Sequence, residues 1–219
     1  MEKDMLAVAQ DDDVNIPQLF ASLPPFRKKH AHSVGVLTEH LIRWSLADPQ
    51  CGYTYSNTPE KIREATVYHD IGMSVIPDCI LNKADALTSK EQKVLQLHSL
   101  YGAKMLDRHR KKFNHSPDEK SLWALAAEIA LSHHEQWDGH GYPYAQLATA
   151  ILPEVRAVSV SEAYDTIVRG ESYCMPLPHE FAIMEIADKS GSQFDPYFSG
   201  LCREHEAELR IIWEEQNVS

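Results

Sequence analysis

SPDEKSLWALAAEIALSHHEQWDGHGYP, residues 116–143, is the stretch that decides the fold. Ser116 with Glu119 three residues later has the capping-box pattern of a helix start, and Pro117 sits where a first helical residue tolerates proline. Leu122, Leu125 or Ala126, Ile129 and His133 then recur at helical spacing, giving one apolar stripe that ends in the pair His133-His134. Glu135 and the loop Asp138-Gly139-His140-Gly141-Tyr142-Pro143 follow at once. A lone histidine on such a stripe is more often a satisfied core residue than a ligand. Two adjacent histidines beside a carboxylate and a tight loop weaken that explanation without removing it.

Outward from this stretch the helical signal repeats. Val34, Leu37 and Leu41 mark a helix over about residues 26–47, ended by the loop 48–57 with its Pro49 and Gly52. Thr58-Pro59 reads as a cap and first turn, and the helix it starts carries Ile62, Ala65 and His69 on one face and stops near Gly72. Thr88 with Glu91 is a second capping box. Later helices are expected over 153–169, 178–189 and 196–214, the last opened by Asp195-Pro196. No alternating run long enough for a sheet occurs, so the expected fold is all-α, a compact multi-helix bundle. Residues 1–17 read as a polar tail or short leading helix ending at Pro17, 18–200 as the domain, and 201–219 as a C-terminal helix. Within that helix Leu209, Ile212 and Trp213 would pack on the core or on a second chain.

Composition narrows the function. The 219 residues are 43% apolar and 24% charged, enough for one soluble domain with its own core. A net charge of −11 argues against general DNA or RNA binding, which needs basic surface. It does not argue against a small phosphorylated ligand, because a bound cation supplies local positive charge. The four cysteines, Cys51, Cys79, Cys174 and Cys202, form no CxxC pair, so neither a disulfide framework nor a zinc ribbon is expected. With no signal region and no apolar stretch of membrane-spanning length, a reduced cytoplasm is the expected setting.

The twelve histidines are the unusual count. His30 precedes Val34, Leu37 and Leu41 by 4, 7 and 11 residues and extends that helix's buried face. His69-Asp70 ends a helix whose inner face carries Ile62 and Ala65, and His98 lies near Val94, Leu95, Tyr101 and Leu106. Glu162 stands among Val155, Val158 and Asp165 at helical spacing, and a buried acid is costly unless it is paired or binds a metal. Each has an ordinary explanation alone. Together His30, His69, Asp70, His98, His133, His134 and Glu162 put imidazoles and carboxylates on helices that must pack together, as dinuclear helical-bundle sites do. Such donors without thiolate suit iron, manganese or zinc and speak against a structural zinc.

These residues resemble a known family. Tyr68-His69-Asp70-Ile71-Gly72, then Ile76-Pro77-Asp78 with Ile80-Leu81 and Lys83, then His98 with Gly102, are similar to the HD-GYP family. His133-His134-Glu135 leading to Gly141-Tyr142-Pro143 carries its name-giving signature, and Tyr164-Asp165 and Gly191 with Phe194-Asp195-Pro196 fit its C-terminal part. The resemblance spans roughly residues 26–200. It implies an HD-superfamily helical fold and a centre of divalent metals, commonly iron or manganese, with zinc, nickel or magnesium as alternatives. It further implies hydrolysis of a cyclic dinucleotide, c-di-GMP or a relative, to the linear dinucleotide or GMP. Carried over by motif, the resemblance makes His30, His69, Asp70, His98, His133 and His134 ligands, with Glu162 where the family usually has aspartate. Asp70 would bridge two metals and, with His69, form the catalytic pair. Tyr142, Lys83 and Arg169 are the expected substrate contacts. His32 competes with His30 as first ligand; His30 is preferred because Val34, Gly35 and Leu37 then fall where the family has apolar and small residues.

Four departures matter, two at the expected grip on phosphate and two at ligand positions, and together they leave the ligand set largely kept and the phosphate grip weakened. The family's lysine after the HD pair is Met73 here, and a thioether cannot neutralise phosphate charge. The family's Arg-Pro-Tyr-basic segment appears as Glu171-Ser172-Tyr173-Cys174, with Arg169 two residues out of step. Glu162 is one methylene longer than aspartate. Phe26 stands where members with a third metal have an acid, so two metals are expected. Three functions therefore stay open: a cyclic-dinucleotide phosphodiesterase, a metal phosphohydrolase for another nucleotide or phosphoester, and a degenerate binding or signalling module. The partner expected is a small phosphoester, with no DNA and no membrane; a second copy of the chain or a signalling protein is the macromolecular alternative.

Overall fold

The computed structural model describes residues 14–83, 85–170 and 175–217. Among them the chain is helical, and β pairing is confined to isolated bridges, Asp138 with Leu147 and Ser190 with Phe194. In chain order the helices are α1 (Ile16–Ser22), α2 (Pro25–Ala47), α3 (Pro59–Thr66), α4 (Asp78–Leu81), α5 (Ser89–Lys112), α6 (Pro117–Ser132), α7 (Pro153–Arg169), α8 (His179–Asp188), α9 (Pro196–Glu204) and α10 (Glu206–Asn217). A 3-10 segment, Ile71–Val75, follows the His69-Asp70 pair.

Helix starts follow the local chemistry. The Thr58 side chain accepts from the Lys61 N–H at 3.3 Å, and both capping boxes form, Thr88 with Glu91 and Ser116 with Glu119. Each such cap contributes about 1 kcal/mol. The last turn of α5 carries His109, Arg110, Lys111 and Lys112, and the first turn of α6 carries Asp118 and Glu119, so both helix dipoles meet favourable charge.

Three boundaries differ from the sequence expectation. Asn15 caps α1 and Pro17 lies in its first turn, so Pro17 opens a helix instead of closing a tail; residues 1–13 of that tail lie outside the described residues. The helix expected to reach Gly72 stops at Thr66, and His69 and Asp70 sit in the turn that follows. The last expected helix is divided at His205 into α9 and α10.

α2 is the centre of the bundle. Its Val34, Leu37, Leu41 and Ile42 are fully buried, and it packs against α3, α7, α9 and α10, while α5 lies along α6. Leu209 on α10 is buried as well, so the C-terminal helix packs on the core of its own chain. Gly72 and Gly102 set how closely the Ile71–Val75 segment approaches α5. A Cβ on Gly72 would overlap the His98 carbonyl oxygen and come within 2.6 Å of the Gly102 nitrogen. That crossing carries the His69-Asp70 turn onto His98.

Candidate metal centre and its cleft

Four histidines are aimed by the same device. His69 Nδ1 lies 2.9 Å from the Thr66 carbonyl, His98 Nδ1 2.7 Å from that of Leu95, and His133 Nδ1 3.1 and 3.0 Å from those of Ile129 and Ala130. In His30 a carboxylate replaces the carbonyl: Nδ1 lies 2.7 Å from Asp165 Oδ2. A ring whose Nδ1–H donates has its Nε2 lone pair free, the tautomer and orientation that metal-binding histidines use. Ser159, on α7, holds the end of α6 by donating to the His133 carbonyl at 2.7 Å.

The free atoms converge on Asp70. One set, Asp70, His98, His133 and His134, offers ligand atoms all within 4.8 Å of one another, and a second set, His30, His69 and Asp70, does the same. His98 Nε2 is 3.3 Å from Asp70 Oδ1, His133 Nε2 3.6 Å from it, and His69 Nε2 3.9 Å from Asp70 Oδ2. His98 and His133 face each other Nε2 to Nε2 at 3.3 Å. In their carbonyl-bound neutral tautomers these are two lone pairs pointed at each other, which only a proton or a cation resolves. His69 Nε2 and Asp70 Oδ1 are buried with no hydrogen-bond partner. The Ser99 hydroxyl, 3.4 Å from His98 Nε2, is the nearby donor, and the two unpartnered buried acceptors beside the clustered imidazoles fit divalent metal ions.

Protonation agrees. Burial pushes the His69 imidazole down to about 3 and His98 to about 4, and burial with the neighbouring imidazoles holds His134 well below the usual range. Burial would raise Asp70, but His69, His98 and His133 outweigh it and keep the carboxyl well below its ordinary value. His30 and His133 are raised despite burial, His30 chiefly by Asp165 and His133 chiefly by Glu162 and Asp70. These raised groups contribute stability that is complete below the unfolded value and lost as pH rises through their folded values. The depressed ones act below it: the unfolded chain takes up protons that His69, His98 and His134 refuse. The metal-free protein is therefore expected to lose stability as pH falls from about 6.5 toward 4. Urea midpoints at about pH 6.5 and 4.5 check this, and equal midpoints would contradict it.

Asp165 extends the centre outward. Besides His30, its carboxylate takes both prongs of Arg169 at 2.8 Å and the Trp213 indole N–H at 2.7 Å, so α10 helps fix the carboxylate that orients His30. Burial opposes its ionisation, but bonds from His30 and Arg169 bring it down to about 2. Asp165→Asn is expected to weaken metal affinity about 10- to 100-fold, read by competition with a chelator. Unchanged affinity would take Asp165 out of this role.

The remaining expected residues divide. His32 lies edge-on to Phe20 at 5.5 Å, away from both ligand sets, whereas His30 belongs to one. Glu162 falls outside both sets; its Oε1 is 3.9 Å from His134 Nε2, and with His133, His134 and Tyr142 it lines a cleft of about 530 Å³. The Tyr142 ring stacks on His134 at 4.8 Å, and burial keeps its phenol protonated. Lys83 and Arg169 do not line this cleft. Lys83 is held by Glu91 at 2.6 Å, where that carboxylate caps α5, and Arg169 is engaged by Asp165. Both long cations are captured by nearer carboxylates. Met73 packs against the core and Phe26 is 61% exposed, while Glu171 and Cys174 lie outside the described residues. Sequence reasoning missed Asp165 and Trp213 as supports and Lys189 as a cation of the cleft.

Known proteins resemble this chain in sequence and in fold. The family model described as "HD domain" matches residues 21–198. A 3'3'-cGAMP-specific phosphodiesterase 2 of Vibrio cholerae is 32% identical over 70% of this chain and 28% of its own length. A cyclic di-GMP phosphodiesterase of Thermotoga maritima is 38% identical over 62% of this chain and 34% of its own. The chain thus spans about a third of the curated relatives it matches. Among solved structures, an HDG"Y"P protein from Bdellovibrio bacteriovorus superposes with a TM-score of 0.56 at 17% identity, over 80% of this chain and 50% of that one, a likeness of fold. With the His-Asp pair placed among the clustered imidazoles and Tyr142 lining the cleft beside His133 and His134, the chain belongs to the HD domain family.

Proposed function

We propose that this domain is a metal-dependent phosphodiesterase that opens a cyclic dinucleotide, c-di-GMP or a close relative, to the linear dinucleotide or GMP. The observation that carries this is the pair of ligand sets sharing Asp70, one of which contributes His133 and His134 to the lining of a cleft. The activities named for the Vibrio cholerae and Thermotoga maritima relatives support the substrate class. His30, His69, Asp70, His98, His133 and His134 would hold the metals, with Glu162 joining from the cleft side. Imidazole and carboxylate donors favour iron or manganese, with zinc, nickel or magnesium as alternatives. Divalent metal ions bound there supply Lewis acidity and activate water at neutral pH. The chain's own part is positional. Asp70 stays ionised, the carbonyl- and carboxylate-held imidazoles present Nε2, and Tyr142 offers a neutral O–H at the cleft wall. The unbonded Cys51, Cys79 and Cys202 are in keeping with a cytoplasmic setting.

One observation favours a binding module instead: Lys189 is the single Lys or Arg lining the cleft among the described residues, which leaves little positive charge for phosphate. Turnover separates the two. Protein loaded anaerobically with iron or manganese is expected to convert c-di-GMP to the linear dinucleotide or GMP, resolved by chromatography. No product with metals confirmed in place would leave the binding role, or another phosphoester as substrate.

A further inference from the structure

The outer wall of the cleft is one stripe of side chains. Leu177, Phe181, Glu185 and Lys189 follow at intervals of four residues, and all four line the cleft that His134 and Glu162 border. Residues four apart share a helix face. Along α8 the stripe therefore presents an aromatic ring, then a carboxylate, then an ammonium at the helix end. Phe181 is 54% exposed, a large apolar ring left in water unless something lies on it. Glu185 and Lys189 pair at 2.7 Å and are both partly exposed.

We propose that this stripe reads a guanine base, with Phe181 stacking on its face, the Glu185 carboxylate accepting from N1–H and the N2 amino group, and Lys189 donating to O6. The inference rests on the cyclic-dinucleotide function above and specifies the base such a substrate carries. Guanine's edge sets an acceptor, O6, beside two donors, and an ammonium beside a carboxylate is the complementary order. Adenine sets a donor amino group beside an acceptor nitrogen, which would face donor with ammonium and lone pair with carboxylate. A carboxylate has lone pairs for both donors of the base while keeping Lys189. Exposed Lys–Glu pairs hold each other weakly, so turning toward a base costs little. A bidentate contact separates the right base from the wrong one by about tenfold or more, whereas stacking on Phe181 is nearly blind to base identity.

The test uses the full chain loaded with manganese and three ligands, c-di-GMP, 3'3'-cGAMP and c-di-AMP. KM is measured with the dinucleotides themselves, and Kd by calorimetry with hydrolysis-resistant phosphorothioate analogues. c-di-AMP is expected to bind about tenfold or more weakly than c-di-GMP. Glu185→Gln is expected to weaken guanine ligands about tenfold and so erase the preference. Phe181→Ala weakens all three ligands alike, and Phe181→Trp restores them. Equal affinity for guanine and adenine dinucleotides, or a preference that survives Glu185→Gln within about twofold, would make the stripe a solvated ion pair and overturn the inference while the phosphodiesterase function stands. Binding that follows the guanine rule without hydrolysis would sink that function and keep the stripe. Binding of none of the three would end both.

Discussion

Asp70→Ala is expected to abolish metal content and phosphodiester hydrolysis together. Asp70 is the one residue common to both ligand sets, and His98, His133 and His69 all turn their Nε2 atoms toward its carboxylate. Without it the imidazoles would keep their backbone bonds and lose the anion that offsets the charge of bound cations. Turnover should fall by at least about 10³-fold, since activation of water by the metals is lost with them. The fold should survive, because removing a half-buried carboxylate also removes its desolvation cost. Metal analysis, turnover and circular dichroism on one preparation check all three. Unchanged turnover would take Asp70 out of the mechanism.

Gly72→Ala is expected to strike the fold itself. Its Cβ would collide with the His98 carbonyl and with backbone of Gly102, neither of which can rotate away. Separating the two segments costs about 3 kcal/mol or more, equivalent to a Tm drop of about 6–12 °C for a chain of this size. It would also pull the His69-Asp70 turn away from His98, so metal retention should fall with stability. Gly52→Ala is the control, since nothing lies within 4 Å of a Cβ there. A Tm for Gly72→Ala within about 2 °C of the parent would contradict the close crossing.

The comparison of sequence with structure divides along the range of the forces involved. Caps at Thr58, Thr88, Ser116 and Asp195 were legible because each is closed by residues two or three positions away. The buried faces of α2 and α6 were legible because helical periodicity is local too. The end of α3 was not. Ile62, Ala65 and His69 keep helical spacing, yet the chain leaves the helix after Thr66 on its way to the crossing at Gly72 and Gly102. The break at His205 has no glycine or proline to announce it.

The ligand residues could be picked out as types on inward faces, but not what aims them. His30 is oriented by Asp165, 135 residues away, and Asp165 in turn by Trp213 on the last helix. Arg169 shows the opposite lesson: Asp165 lies four residues before it, a readable helix pair that competes with any role at the substrate. Lys83 is likewise captured by Glu91, the capping carboxylate of α5. The stripe of Phe181, Glu185 and Lys189 was not singled out from the sequence, because spacing of four residues on a helix reads equally as a cleft wall and as a solvated face.

Metal stoichiometry tests the central claim most directly. Protein loaded anaerobically with iron or manganese, freed of excess ion and analysed for metal per chain should hold about two, as two ligand sets sharing one carboxylate require. Less than about one per chain, in folded protein, would contradict a dinuclear centre and with it the proposed chemistry.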